Sequence, residues 1–235
     1  MKVKNVLLVG LGQLGCRHLE GLLSCNIPLE IFAFDSSLSA LKSAKLKFKT
    51  QKLHTIYWHN AIPADLLSID ICIISTTSKG RQKLIKYISN KIIIQFWILE
   101  KILTQSHDEL INLRNHFASQ ENVWINTPWR TMAIYKSLKD SIDSSSSMRL
   151  SFTGFNWGLA CNSVHFLDLT SWITGESLST IDVRGLKSPW FESKRTGFYD
   201  TTGTLKAAFS NGSVLNLTDS SVYKKWLLKI ELINN

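Results

Sequence analysis

The six residues Gly10-Leu11-Gly12-Gln13-Leu14-Gly15 constrain this chain more than any other stretch. They follow a short apolar run at 3–9, rich in β-branched residues and suited to a buried parallel strand. They precede residues 16–24, where Leu19, Leu22 and Leu23 stand near helical spacing. A lone G-x-G-x-x-G is weak evidence, but between strand and helix each glycine has a reason. The first allows a tight turn, the second lets a pyrophosphate approach the backbone, and the third lets helix and strand pack closely. The free N–H groups and dipole of the helix N-terminus then stabilise phosphate charge. Asp35 ends the next apolar run, 20 residues after Gly15, where a carboxylate can accept hydrogen bonds from a ribose diol. Gly10, Gly12, Gln13, Leu14, Gly15 and Asp35 are therefore expected to hold a dinucleotide. NAD is favoured over NADP, because a 2′-phosphate would meet the charge of Asp35, and Ser36 and Ser37 follow it where an Arg would serve NADP. Cys16 reads as a small packing residue, with a pKa lowered by the helix start as the alternative.

Beyond this opening the pattern alternates. Strands are expected at 29–35, at Thr55 to Trp58, at 69–76, at 91–101 and at Asn122 to Asn126, with a helix between each pair except the second and third. Ser106 and Glu109 form a capping box at the start of the last of these helices. Such alternation predicts an α/β fold, a doubly wound Rossmann sheet of parallel strands. After about residue 123 the pattern changes. A helix closed by Gly175 is followed mostly by strand-like runs, with a hairpin signal at Ser210-Asn211-Gly212. The expected organisation is a Rossmann domain at 1–122 that binds NAD, then an α+β domain at 123–235 with a mostly antiparallel sheet, serving substrate binding and oligomerisation. The polar run at 143–147 reads as a loop.

Composition excludes several classes. The chain carries 27 Lys plus Arg against 18 Asp plus Glu, a formal net charge of +9. The excess is spread over both halves. Its densest cluster, Lys42 to Lys52, reads as a solvated surface, since no nucleic-acid motif accompanies it. Attraction of anionic ligands by the overall field is a further reading. Cys16, Cys25, Cys72 and Cys161 form no C-x-x-C and no zinc-ligand spacing, so they read as free thiols in a reducing compartment, with no metal expected. No apolar run reaches the length of a membrane span. The expectation is a cytoplasmic protein with no nucleic-acid or membrane partner.

In an open parallel sheet, ligands bind beyond the carboxyl ends of the strands. Glu100 and Lys101 end one strand, and Ser75, Thr76 and Thr77 end another. All five are expected on the same edge as Asp35 and the glycines, lining the cofactor.

Here the chain resembles the glucose–fructose oxidoreductase/inositol dehydrogenase (Gfo/Idh/MocA) family. The resemblance rests, in order, on VGLGQLGCRHL, IISTTSKGR, LEKI, NTPWR, GLACNSVHFLDL and GTLKAAFSNGSVLNL, and it runs through nearly the whole chain. It implies an NAD(P)-dependent oxidoreductase that moves a hydride between nicotinamide and a ring carbinol or ketone of a sugar or sugar nucleotide. The short GLACNSVHFLDL form resembles members found in surface-polysaccharide or nonulosonic-sugar biosynthesis. It implies Lys101 beside the substrate hydroxyl, His165 as acid or base, and Asn162 at the site where the family's Asp is replaced by Cys161. Arg130, Trp129 and Asn162 are expected to bind substrate, and Arg81 reads as an anion partner or a surface residue. The chemistry is coherent: oxidising an alcohol needs a proton acceptor and a cation for the developing oxyanion. Taken alone, His165 between Val164 and Phe166 reads as a core histidine; beside Lys101 and the glycine cradle it reads as functional. The sequence stops where further strands are expected, which reads as a compact or truncated member. Pairing of copies through the C-terminal sheet is expected. Binding of a dinucleotide without catalysis is the alternative function.

Overall fold

A computed structural model describes residues 2–142 and 146–233 of the chain. It divides into two compact units, Met1–Asn126 and Thr127–Asn235.

The first unit runs β1 (Lys4–Val9), α1 (Gln13–Leu23), β2 (Leu29–Phe34), α2 (Leu38–Lys47), β3 (His54–His59), β4 (Ser68–Ile74), α3 (Arg81–Ser89), β5 (Ile93–Glu100), α4 (His107–His116) and β6 (Val123–Asn126). The strands form one parallel sheet in the order β3-β2-β1-β4-β5-β6. Alternation along β1 explains the layers. Val6 and Leu8 face Leu19 of α1 and Leu41 and Ala44 of α2. Leu7 and Val9 face Ile85 and Ile88 of α3 and Leu113 of α4. A strand buried on both faces must be apolar throughout, which is why β1 reads as a continuous run. The first half of β5 departs from that reading. Ile93 and Phe96 are exposed, and burial begins at Trp97. The unit ends after Asn126 instead of after residue 122, because β6 pairs with β5 and so completes the first sheet.

Ser106 accepts a hydrogen bond from the Glu109 N–H, as the capping box requires, while the Glu109 carboxylate accepts from the Gln105 N–H.

The second unit begins with a 3-10 turn at Pro128–Thr131, then α5 (Ala133–Ser141), β7 (Ser147–Gly154), α6 (Leu159–Thr174), β8 (Leu178–Leu186), β9 (Phe191–Glu192), β10 (Tyr199–Asp200), β11 (Gly203–Phe209), β12 (Val214–Asp219) and β13 (Leu227–Ile233). Its five-stranded sheet has the order β13-β7-β12-β11-β8 and is antiparallel except for β12 on β7. One face packs on α6. Phe166, Leu169 and Ile173 meet Met148, Leu150, Leu205, Phe209, Leu215 and Leu217. Of the polar run expected as a loop, 143–145 lie outside the described residues, and Ser147 already belongs to β7. The small β9–β10 hairpin carries no alternation long enough to betray it in sequence.

Candidate functional site

The carboxyl edge of the first sheet collects the residues read from sequence. Gly10 sits at φ +95°, and a Cβ there would lie 3.0 Å from the Thr76 nitrogen. Ser75 Oγ donates to the carbonyls of Val9 (2.9 Å) and Gly10 (2.7 Å), tying the end of β4 to the glycine loop. At Gly15 a Cβ would stand 1.8 Å from the Gly10 carbonyl oxygen, so α1 crosses β1 at a distance only glycine permits. At Gly12 a Cβ would meet nothing within 4 Å. The space in front of Gly12 is therefore open, at the N-cap of α1, where no side chain caps the helix and no acidic residue enters the first turn. Gln13 and Leu14 open that helix, and the N–H groups of a first turn have no intrahelical acceptor. The Thr76 hydroxyl oxygen is buried here with no hydrogen-bond partner. Thr77 is exposed on the same loop.

Asp35 spans the cradle. One carboxylate oxygen accepts from the Leu11 N–H at 2.7 Å and the other from the Ser37 N–H at 2.7 Å. A carboxylate offers about four acceptor positions, so two remain for a ligand. The Cys16 thiol donates to the Leu11 carbonyl, and burial raises its pKa, the direction expected of a packing residue.

Glu100 is 3% exposed. Its Oε1 lies 2.7 Å from His18 Nε2 of α1 and accepts from the Asn126 amide of β6 at 2.5 Å. Burial opposes ionisation, but the hydrogen bonds of His18 and Asn126, with the charge of Arg81 nearby, outweigh it and hold the carboxyl below its usual range. Glu100 thus fastens three elements together and positions the next residue, Lys101, which is half-buried. The Lys101–Ile102 peptide is cis.

Arg81 was expected as an anion partner or a surface residue, and the structure corrects both readings. It is 2% exposed and donates to the carbonyls of Thr76, Glu100, Ile102 and Leu103.

The second unit places its own residues around α6. The Arg130 guanidinium grips both carboxylate oxygens of Asp168, Nε to Oδ2 at 2.7 Å. Trp129 stacks on the His165 ring, with centroids 5.1 Å apart and planes 21° apart, and meets Phe166 edge-on. Asn162 donates to the Trp157 carbonyl at 2.7 Å. Cys161 is exposed. Two buried carboxylates hold the loop that leads into α6. Asp219 accepts from the N–H groups of Asn156 and Trp157, and Asp200 from that of Ala160. Among the described residues no group of His, Cys, Asp and Glu is arranged to hold a metal ion.

Three contributors, His18, Asn126 and Asp200, were not singled out from sequence, and Arg81 was given another role. His18 and Asn126 lie inside quoted motifs, so a signal existed. The anchoring role of Arg81 and that of Asp200 depend on backbone carbonyls and N–H groups brought together only by folding.

No protein-family model and no curated protein matches the sequence. Solved structures do. The chain is similar to myo-inositol dehydrogenase from Lactobacillus casei in complex with NAD(H) and myo-inositol, at TM-score 0.72 and 16% identity, covering 99% of this chain and 72% of that one. It is similar to myo-inositol 2-dehydrogenase from Lactobacillus plantarum, at TM-score 0.69 and 18% identity, covering 99% and 74%. It is also similar to GenD2 from gentamicin A biosynthesis in complex with NAD, at TM-score 0.70 and 14% identity, covering 99% and 70%. At these identities the likeness is one of fold. A parallel Rossmann sheet followed by a mixed sheet, the fold implied by the resemblance to the Gfo/Idh/MocA family, is the fold found.

Proposed function

We propose that this chain is an NAD-dependent oxidoreductase that moves a hydride between nicotinamide and a ring carbinol or ketone of a sugar or sugar nucleotide. The observation that carries the reading is the convergence of an open, uncapped glycine cradle, Asp35 and Lys101 on one sheet edge. The residues present fit a dinucleotide. The space before Gly12 admits a pyrophosphate, the Thr76 hydroxyl lacks a partner, and Asp35 keeps two acceptor positions. The same carboxylate would repel a 2′-phosphate, which favours NAD over NADP. The fold neighbours solved with NAD(H) support this choice.

Gly10, Gly12, Gln13, Leu14 and Gly15 would hold the pyrophosphate, and Asp35 the adenosine ribose. Ser75, Thr76 and Thr77 would lie along the nicotinamide end, with Glu100 anchoring the segment beside them. Bound nicotinamide would accept or return the hydride. Lys101 is assigned the cation that stabilises the alkoxide as charge develops, and His165 the group that takes or gives the hydroxyl proton. Trp129, stacked on His165, would fix the plane of that ring. Asn162, Trp129 and Arg130 are assigned to the sugar, Arg130 within its pairing to Asp168. An activated or anionic sugar is the preferred substrate class.

The test is a titration of purified protein with NADH and NADPH, followed by absorbance at the NADH band with NAD and a panel of UDP-sugars, CMP-sugars and myo-inositol. The expected result is preference for NADH and turnover on a panel member, reduced about 100-fold in Lys101→Ala, as for loss of one preorganised charge partner. NADH binding is retained in that variant. A second reading, binding without turnover, is favoured by Cys161 standing exposed on α6 where the resemblance implies a carboxylate. Tight NADH binding with no turnover on the panel would select it. Absence of NADH binding would sink both.

No helix of the described residues is long and apolar enough to cross a membrane. The cytoplasm is assigned as the location on the four free thiols, which suit a reducing compartment. Pairing of two copies is assigned to the sheet face opposite α6. There Arg149 and Lys206 stand beside Asp182, Thr180 and Asn216 around a shallow hollow. Both signs of charge on one face suit an isologous contact. Sedimentation velocity is expected to show a dimer or a higher even oligomer, lost in the double variant Arg149→Glu/Lys206→Glu. A monomer at every concentration would remove this assignment.

A further inference from the structure

We infer that Arg81 is a positioning residue that sets the place of Lys101 relative to the glycine cradle. The inference rests on the reading of Lys101 given above. Arg81 is the first residue of α3, the end of a helix that disfavours a cation, so helix stability does not account for it. Burying a guanidinium is costly unless its donors are used. Four main-chain oxygens accept from it, and three of them bracket Lys101. Glu100 stands on one side, with Ile102 (2.5 Å) and Leu103 (3.5 Å) on the other. A further donor reaches the carbonyl of Thr76. Thr76 follows Ser75, whose hydroxyl is bonded to Gly10, and its own nitrogen lies against Gly10.

One rigid fork therefore joins the segment that carries Lys101 to the segment that touches the cradle. Glu100 is pinned from the other side through its carboxylate by His18 and Asn126. Lys101 emerges between these fixed points. Lysine at position 81 keeps the charge but presents a single point instead of a planar fork, so it cannot span the same carbonyls. The cradle contacts made by Ser75 and Asp35 do not pass through Arg81, so the pyrophosphate and ribose contacts are expected to outlast its replacement.

The experiment compares parent, Arg81→Lys and Arg81→Ala. NADH affinity is measured by titration. Lys101 is followed by NMR of protein labelled at the lysine side chains with NADH bound, its resonance assigned by its disappearance in Lys101→Arg. In folded Arg81→Lys, the NADH dissociation constant is expected to stay within about threefold of the parent while the Lys101 resonance shifts or broadens. On any panel sugar that the parent turns over, kcat falls about 100-fold, the scale of a 1 Å misplacement, with KM for NAD little changed. The resonance reads position without turnover, so failure of the dehydrogenase reading leaves this test intact. An unmoved Lys101 resonance in either folded variant overturns the inference. So does failure of both variants to fold, which would make Arg81 a stability element alone.

Discussion

Replacing Gly15 by alanine is expected to destabilise the first unit, whereas replacing Gly12 by aspartate is expected to leave it as stable as the parent and blind to NADH. At Gly15 the new methyl would overlap the Gly10 carbonyl at 1.8 Å and the Ser75 hydroxyl at 2.9 Å. The backbone of β1 cannot withdraw, because it is paired on both sides with β2 and β4. Overpacking against backbone falls at the upper end of its usual range, about 3 kcal/mol or more, which lowers the melting temperature by about 6–12 °C in a chain of this size. At Gly12 a side chain enters open space, so folding is spared, but a carboxylate there takes the place and opposes the charge of a pyrophosphate. Thermal unfolding and NADH titration of both variants separate the effects. A Gly15→Ala protein as stable as its parent would show that α1 can move off β1. Undiminished NADH binding by Gly12→Asp would place the cofactor elsewhere.

The second large effect concerns Glu100. Truncation to alanine removes a buried carboxylate from His18 and Asn126, and is expected to cost about 3 kcal/mol at pH 7, as for breaking a buried pair. The folded-state pKa of Glu100 lies below its unfolded value. Its stabilisation is therefore complete above the unfolded value, about pH 4.3, and is lost as the pH falls through the folded one. Urea midpoints of the parent should drop across this acidic window more steeply than those of Glu100→Gln, which cannot ionise. Parallel pH profiles for the two would show that the carboxylate contributes nothing as an ion.

Much of this was legible in the chain because the signals are local. Gly10, Gly12 and Gly15 stand between a two-face-buried strand and an amphipathic helix, and Asp35 closes the next strand; both placements follow from side-chain period and glycine sterics. The positions of Glu100 and Lys101 at the sheet edge follow from the same rule of parallel topology. The segment at 122–126 reads as one more strand of the alternating run, and its pairing with β5 carries the first unit to Asn126, four residues past the expected boundary. The role of Arg81 was hidden. An arginine in sequence announces charge, and charge suggests solvent or an anionic ligand, whereas this one is buried and donates to the carbonyls of residues 76, 100, 102 and 103.

The sequence by itself determined the order of strands and helices, the glycine turn and the acid that faces it, because each depends on neighbours a few residues away. Only the tertiary structure decided which polar groups hold those parts in register. Glu100 meets His18 across 82 positions of sequence, Arg130 meets Asp168 across 38, and Asp219 meets Trp157 across 62. No periodicity encodes such pairs. They are fixed by burial, which leaves a desolvated polar group no partner but the one that folding brings to it.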